Sequence, residues 1–236
     1  MLVASDFDGT LAEIVPEPDS ARALPAAVTA LRELRGLVGT VALISGRSTA
    51  DLQRLVDVQG VRVLGDYGQP SDRRPDPALE RFRAAAEAAV AGIPGARVEA
   101  KPGAVAIHFR SRPELGQHVL SAVTPAAAQA GLDVRRGRMV IEVLPRDWDK
   151  SRALADLVTS TSAAGAVFLG DDYGDRGCFQ YLAGLDRPHL AVGVASEETP
   201  AEVFAACDLV VEGPSGAAEF LSRLAAAARA RGPAGP

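Results

Sequence analysis

Two carboxylates stand two residues apart in Asp6-Phe7-Asp8-Gly9-Thr10-Leu11, just where the short apolar run Leu2-Val3-Ala4-Ser5 ends. Three further polar stations fall beside other expected strand or helix ends: Ser45-Gly46-Arg47, Lys150, and Gly170-Asp171-Asp172-Tyr173-Gly174-Asp175. An Asp-Gly turn alone is commonplace. Parallel α/β sheets, however, bind ligands at the carboxyl ends of their strands, and four polar stations at such places point to one site. His108, His118 and His189 are scattered, and Cys178 and Cys207 form no CxxC pair. Zinc chemistry therefore has no support, the cysteines read as buried thiols, and any metal is expected to be bound by oxygen. Lys150 adds a second indication, because a cation at the start of a helix opposes the helix dipole. The placement becomes favourable if a phosphoryl group occupies that end, where helix amides and ammonium both face negative charge. Only Lys101 and Lys150 are lysine among the 25 basic residues. In a chain whose default cation is arginine, a lysine that persists reads as a required ammonium.

The elements that must hold these stations follow from apolar patterning. Residues 2–5 and 41–44 read as buried parallel strands, and Leu24, Val28, Leu31 and Leu34 recur between them at helical spacing, with Pro25 suited to the first helical turn. A helix over 52–56 and a strand over 61–64 complete this part. After residue 145 the alternation resumes with a helix from about Asp149, strand 166–169, helix 177–182, strands 190–194 and 209–211, and a final Ala-rich helix whose tail from Arg229 is expected to fray. The middle differs. Val105, Ile107 and Phe109 alternate with Ala106, His108 and Arg110, the period-2 mark of a half-covered strand. A strand over 139–144 follows a helix carrying Leu115, Val119, Val123 and Ala126, and an earlier helix carries Leu79, Phe82, Ala86 and Val90. The expected architecture is a Rossmann-like parallel-sheet α/β core, residues 1–69 and 146–236, with an α+β cap domain, residues 70–145, inserted into it.

Composition narrows the partners. A chain of 236 residues with 47% hydrophobic and 23% charged side chains has ample material for a core, which excludes intrinsic disorder. A net charge of −5 lacks the basic excess that a nucleic-acid backbone requires. No apolar run approaches the ~20 residues of a membrane span, and residues 1–6 lack the charged and apolar regions of a leader. A cytoplasmic protein acting on a small molecule is the expectation.

These residues resemble the haloacid dehalogenase superfamily, whose aspartate-based phosphotransfer motifs occur here in their usual order. Within it the chain is similar to the trehalose-6-phosphate phosphatases, through Asp6-Phe7-Asp8-Gly9-Thr10-Leu11-Ala12-Glu13-Ile14, Ile44-Ser45-Gly46-Arg47, Glu99-Ala100-Lys101, Ile107-His108-Phe109-Arg110, Glu142 with Pro145 and Lys150, and Gly170-Asp171-Asp172. The resemblance implies Asp6 as the nucleophile that forms an aspartyl-phosphate and Asp8 as the acid and then the base. Ser45, the Gly46 amide and Lys150 would hold the phosphate. Carboxylates facing a phosphate require an intervening cation, and all-oxygen ligation suits Mg²⁺, held by Asp6, the Asp8 carbonyl and Asp171. Asp172 is expected to add to that shell, and Asp175 to support it or to orient Lys150. Arg47, Lys101, His108, Arg110, Arg138 and Glu142 would read the sugar.

Three places depart from the family pattern: Tyr67 and Pro70 stand where His and Glu are usual, Gly174-Asp175-Arg176 replaces a stretch with Thr and Asp-Glu, and Ser151 follows Lys150 in place of Gly. None removes an atom from the phosphoryl-transfer set. The implied activity is hydrolysis of a phosphorylated disaccharide, trehalose 6-phosphate first. Alternatives are a pseudo-disaccharide phosphate of a secondary-metabolite route, or a silent domain that binds a sugar phosphate or a synthase. The functional partner this implies is a trehalose-phosphate-synthase-like glycosyltransferase.

Overall fold

The computed structural model describes residues 1–15, 17–56, 58–69, 76–101, 103–137, 139–146 and 148–231. Along the chain run β1 (Leu2–Ser5), α1 (Pro25–Arg35), β2 (Thr40–Ile44), α2 (Thr49–Leu55), β3 (Arg62–Leu64), α3 (Pro77–Val90), β4 (Arg97–Ala100), β5 (Val105–His108), α4 (Gly116–Ala130), β6 (Leu132–Gly137), β7 (Val140–Pro145), α5 (Lys150–Ser160), β8 (Ala166–Gly170), α6 (Arg176–Ala183), β9 (His189–Ala195), β10 (Leu209–Glu212) and α7 (Gly213–Ala230). They fall into two units, Met1–Ser71 with Lys150–Pro236, and Asp72–Asp149.

The first unit is a six-stranded sheet in the order β10-β9-β8-β1-β2-β3. Every pairing in it is parallel. The central strands β1 and β8 are buried along their whole length, because helices cover both faces, and apart from Ser5 and Gly170 their side chains are apolar. Alternation then divides those side chains. Val3, Val41, Leu43, Val167 and Leu169 pack with α1, α2 and α7 on one face, and Leu2, Ala4, Ala42, Ile44, Ala166 and Phe168 pack with α5 and α6 on the other. From β1 the chain moves to β2 and β3 on one side, and later to β8, β9 and β10 on the other. The strand order therefore reverses between β1 and β8, and loops leaving their carboxyl ends diverge to leave room for a ligand.

The second unit is an antiparallel sheet in the order β4-β5-β7-β6, with α3 and α4 on one face. Val98, Ile107 and Ile141 stand in register, as do Val105 and Val143, and they supply the apolar side. The opposite side carries Glu99, Ala106, Glu142 and Arg135, likewise in register across four strands. A one-residue slip would bury this charged row, so the register is strongly specified.

Two expectations need correction. The last helix does not fray at Arg229: α7 continues through Ala230, and Arg229 meets Glu33 at 3.1 Å. Residues 232–236 lie outside the described residues. Cys178 is buried, but Cys207 is only half-buried, because it lies in the loop before β10 rather than in a helix face on the core. Among the described residues no helix is long and apolar enough to cross a membrane.

Leu31 of α1 is fully buried in the cluster on one sheet face. Leu31→Ala is expected to lower the unfolding free energy by about 2–5 kcal/mol in urea titration; a loss below about 1 kcal/mol would mean that the α1 face is not a packed core.

Candidate active site

The residues that follow β1, β2 and β8 form the site within the first unit. The Asp6 N–H donates to the Leu169 carbonyl at 2.9 Å, which carries the β1–β8 pairing one residue past the strand and fixes the Asp6 backbone. Asp6 is buried, and Lys150, the first residue of α5, places Nζ 2.8 Å from Asp6 Oδ1 and 2.8 Å from Asp175 Oδ1. The ammonium at this helix start is therefore balanced by two carboxylates, so its position does not by itself require a phosphoryl group.

Asp175 is the hub of the β8 end. Its Oδ2 accepts the Asp171 N–H at 2.9 Å and the Asp172 N–H at 3.2 Å, while Oδ1 receives Lys150. Gly170 is required for this approach, since a Cβ there would lie 2.4 Å from Asp175 Cγ. Asp171 is likewise closely packed. Thr10 Oγ1 donates to Asp171 Oδ1 at 3.1 Å, and a Cβ on Gly9, whose φ is +78°, would lie 2.2 Å from Asp171 Oδ2. Only glycine satisfies both the left-handed backbone and the contact. Thr10 had no role assigned on sequence grounds; its signal is its place directly after that glycine.

Asp6, Asp171 and Asp175 each offer a carboxylate oxygen, all within 4.8 Å of one another. A buried set of hard oxygen donors fits a hard divalent cation. Asp175 already receives three hydrogen bonds, so Asp6 and Asp171 are the better ligands and Asp175 the support. Asp172, expected in the metal shell, turns its Oδ1 to the Gly174 N–H at 2.8 Å and caps the turn 173–175. The Asp8 carboxylate is held by Arg47 through two bonds, Nε to Oδ2 at 2.6 Å and Nη2 to Oδ1 at 2.7 Å. Arg47, expected to read substrate, thus engages the paired aspartate, and its guanidinium also lies 5.5 Å over the Phe7 ring. Buried Ser45 accepts the Arg47 N–H through Oγ at 3.2 Å, at the end of β2 with Gly46.

The remaining expected residues belong to the second unit. Lys101 Nζ donates to Glu142, and His108 Nε2 meets Glu99 Oε2 at 2.6 Å, on the polar side of the antiparallel sheet. The His108 bond holds the Glu99 carboxyl below the usual carboxylate range. Arg110 is exposed beyond the end of β5. Arg138 lies outside the described residues, as does Pro70.

Burial dominates the electrostatics. It pushes the Asp6 carboxyl up to about 8, with Lys150 opposing and the Asp175 and Asp172 charges adding to the rise. Burial also disfavours the Lys150 ammonium, but the Asp175 and Asp6 charges outweigh it and hold Lys150 well above the usual lysine value. The protein without metal therefore keeps a proton near Asp6 that a bound divalent cation would displace.

Sheet order and carboxylate placement define a haloacid dehalogenase-like fold. A haloacid dehalogenase-like hydrolase from Bacteroides thetaiotaomicron superposes with a TM-score of 0.65 over 94% of this chain and 98% of that one, at 14% identity. The C. albicans trehalose-6-phosphate phosphatase C-terminal domain superposes with a TM-score of 0.77 over 95% of this chain and 91% of that one, at 21% identity. The trehalose-phosphatase family model matches residues 4–207, and the chain belongs to that family. It is 35% identical over 240 residues to the trehalose-phosphate phosphatase of Mycolicibacterium paratuberculosis, covering 93% of this chain and 61% of that protein. The chain thus spans about three-fifths of the length of the curated relatives it matches.

The raised Asp6 value sets a sign. Between the unfolded value of 3.8 and about 8 the folded, metal-free protein binds a proton that the unfolded chain does not, so this group's contribution to stability falls as pH rises through that window. A cation that releases the proton should stabilise more at higher pH. The increase in thermal midpoint on adding Mg²⁺ is expected to be larger at pH 8 than at pH 6, and Asp6→Asn to abolish the difference; an equal increase at both pH values in the parent protein would show that Asp6 does not contact the cation.

Proposed function

We propose that this chain is a Mg²⁺-dependent phosphatase that hydrolyses trehalose 6-phosphate to trehalose and phosphate through an aspartyl-phosphate on Asp6. The observation that carries the reading is the buried group of Asp6, Asp171, Asp175 and Lys150 at the strand-order reversal, in a member of the trehalose-phosphatase family. Asp6 attacks phosphorus and the sugar oxygen leaves, taking its proton from Asp8. Asp8 then accepts a proton from the water that hydrolyses the acyl phosphate. Arg47 fixes the orientation of the Asp8 carboxylate through its paired bonds, and one of them must yield for Asp8 to carry the proton it donates. Ser45, the Gly46 amide and Lys150 receive phosphate oxygens. Mg²⁺, held by Asp6, the Asp8 carbonyl and Asp171, supplies the positive charge that lets a phosphate approach these carboxylates.

The sugar is assigned to the charged side of the antiparallel sheet, through Lys101, His108, Arg110, Arg138 and Glu142. Support comes from chemistry: a half-buried carboxylate and ammonium on a sheet face can exchange their mutual bond for bonds to sugar hydroxyls. Two thiols without a disulfide support a reducing, cytoplasmic setting, and a sugar-phosphate-forming synthase is the functional partner this reading implies. A related disaccharide phosphate is the second reading, favoured by Tyr67, a bulky phenol near the proposed phosphate station.

Phosphate release across a panel of sugar phosphates tests the assignment, with trehalose 6-phosphate expected to give the highest kcat/KM. Asp6→Asn should retain under about 1% of turnover while keeping its fold by circular dichroism; substantial turnover of an activated aryl phosphate by this variant would sink the covalent route. Glu142→Ala is expected to lower kcat/KM for the disaccharide phosphate at least ~10-fold, about 1.4 kcal/mol, and to leave a small aryl phosphate nearly unchanged. Equal losses on both substrates would assign the Lys101–Glu142 pair to structure alone.

A further inference from the structure

Asp66 and Tyr67 adopt φ of 50° and 58°, and Gly68 follows at 84°, so three successive residues occupy the left-handed region. A bulky side chain there is an outlier that surrounding contacts must enforce. Those contacts are specific. The Ser45 N–H donates to the Leu64 carbonyl at 3.0 Å, the Gly65 N–H to Thr49 Oγ1 at 3.1 Å, the Asp66 N–H to the Arg47 carbonyl at 2.7 Å, and the Tyr67 N–H to the Ser45 carbonyl at 2.9 Å. Each of these bonds ties the turn to residues 45–49, which carry the proposed phosphate station. The other flank meets α5: a Cβ on Gly68 would lie 2.5 Å from the Ala153 Cβ, three residues along the helix from Lys150. The strained turn is wedged between Ser45-Gly46 and the start of the lysine helix.

The Tyr67 side chain is buried, and its hydroxyl fills the space where Gly46 lacks a side chain: a Cβ on Gly46 would lie 2.7 Å from the Tyr67 oxygen. A phenol O–H is thereby held beside the Gly46 backbone, on a turn too constrained to swing it away.

We propose that the Tyr67 hydroxyl is a further phosphate-binding donor, which bonds a phosphoryl oxygen alongside Ser45 and the Gly46 amide; this rests on the phosphatase reading. The resemblance expects an imidazole at this position. A phenol presents an O–H donor, so it adds a directed bond without the positive charge of an imidazolium. A hydrogen bond to a dianion is stronger than one between neutral groups, so its loss should register in phosphate affinity.

Tyr67→Phe keeps the ring and removes the donor. The experiment measures inorganic phosphate as a competitive inhibitor of aryl phosphate turnover by the full chain with Mg²⁺, together with the thermal midpoint. The expected result is an inhibition constant raised at least five-fold, a KM raised in parallel, kcat changed less than three-fold and the midpoint unmoved. A rise smaller than five-fold overturns the inference, whatever the midpoint does. If the parent protein neither turns over substrate nor responds to phosphate, the phosphatase reading fails and this inference fails with it. An active, phosphate-inhibited parent matched by Tyr67→Phe removes the Tyr67 role alone.

Discussion

Charge balance around one buried ammonium governs the architecture of the site. Lys150 is nearly inaccessible to solvent, and desolvating an ammonium is tolerable only beside opposite charge and well-placed acceptors. Asp6 and Asp175 supply both at 2.8 Å. Removing the Lys150 ammonium would leave Asp6, Asp171 and Asp175 facing one another without their buried cation, a loss of about 3–5 kcal/mol in comparable pairs. The glycines follow from the same demand. Gly170 has no side chain because Asp175 must come close enough to reach Lys150 and the amides of Asp171 and Asp172, and Gly9 has none because Asp171 occupies the space beside it. The local sequence around Asp6 and Asp171 is therefore a consequence of packing several charged groups into one volume at the end of two adjacent strands.

That arrangement leaves one tension unresolved within the protein itself. Three carboxylates converge where a single ammonium is present, so negative charge exceeds positive, and burial makes the excess costly. Burial and the neighbouring carboxylates push the Asp6 carboxyl up to about 8, while Lys150 opposes them. The same excess that disfavours ionisation would favour a divalent cation, which Asp6 and Asp171 would hold and whose charge would offset that of the carboxylates. Stability and readiness are opposed here, as is usual where function requires like charges in one place.

Much of this was legible in the sequence, and the reason is the parallel sheet. Strands buried on both faces must be unbroken apolar runs, so residues 2–5 and 41–44 announced themselves, and the polar residues directly after them had to lie at the sheet's carboxyl edge. What could not be read were pairings between distant segments. Asp8 and Arg47 are 39 residues apart and nothing in the spacing pairs them, and only the family resemblance pointed Asp175 at Lys150, 25 residues away. Helix-dipole reasoning at Lys150 pointed to an anion and did not by itself identify the two carboxylates that face it. Asp172 was expected to add to the metal shell, and the sequence did not show that its Oδ1 would cap the turn 173–175. In the second unit, β6 reads Leu-Asp-Val-Arg-Arg-Gly, too polar for an apolar-run criterion; only its pairing with β7 reveals it.

The left-handed turn at Asp66 and Tyr67 was invisible for a related reason. Neither residue type demands positive φ, and each non-glycine residue held there costs about 1–3 kcal/mol. Such a cost persists only if the contacts bought by the distortion exceed it. Several backbone groups of residues 45–49 find partners on this turn, and the Asp66 carboxylate accepts the Thr49 N–H although burial raises its proton affinity. Strain is thus exchanged for rigidity in the loop after β2. Two segments that would otherwise be separate surface loops become one braced ledge, and Ser45 and Gly46 inherit a fixed backbone from residues twenty positions further along the chain. The proposed phosphate station would gain more from this bracing than from any additional donor on a flexible loop, because preorganised dipoles need no rearrangement when a reaction begins.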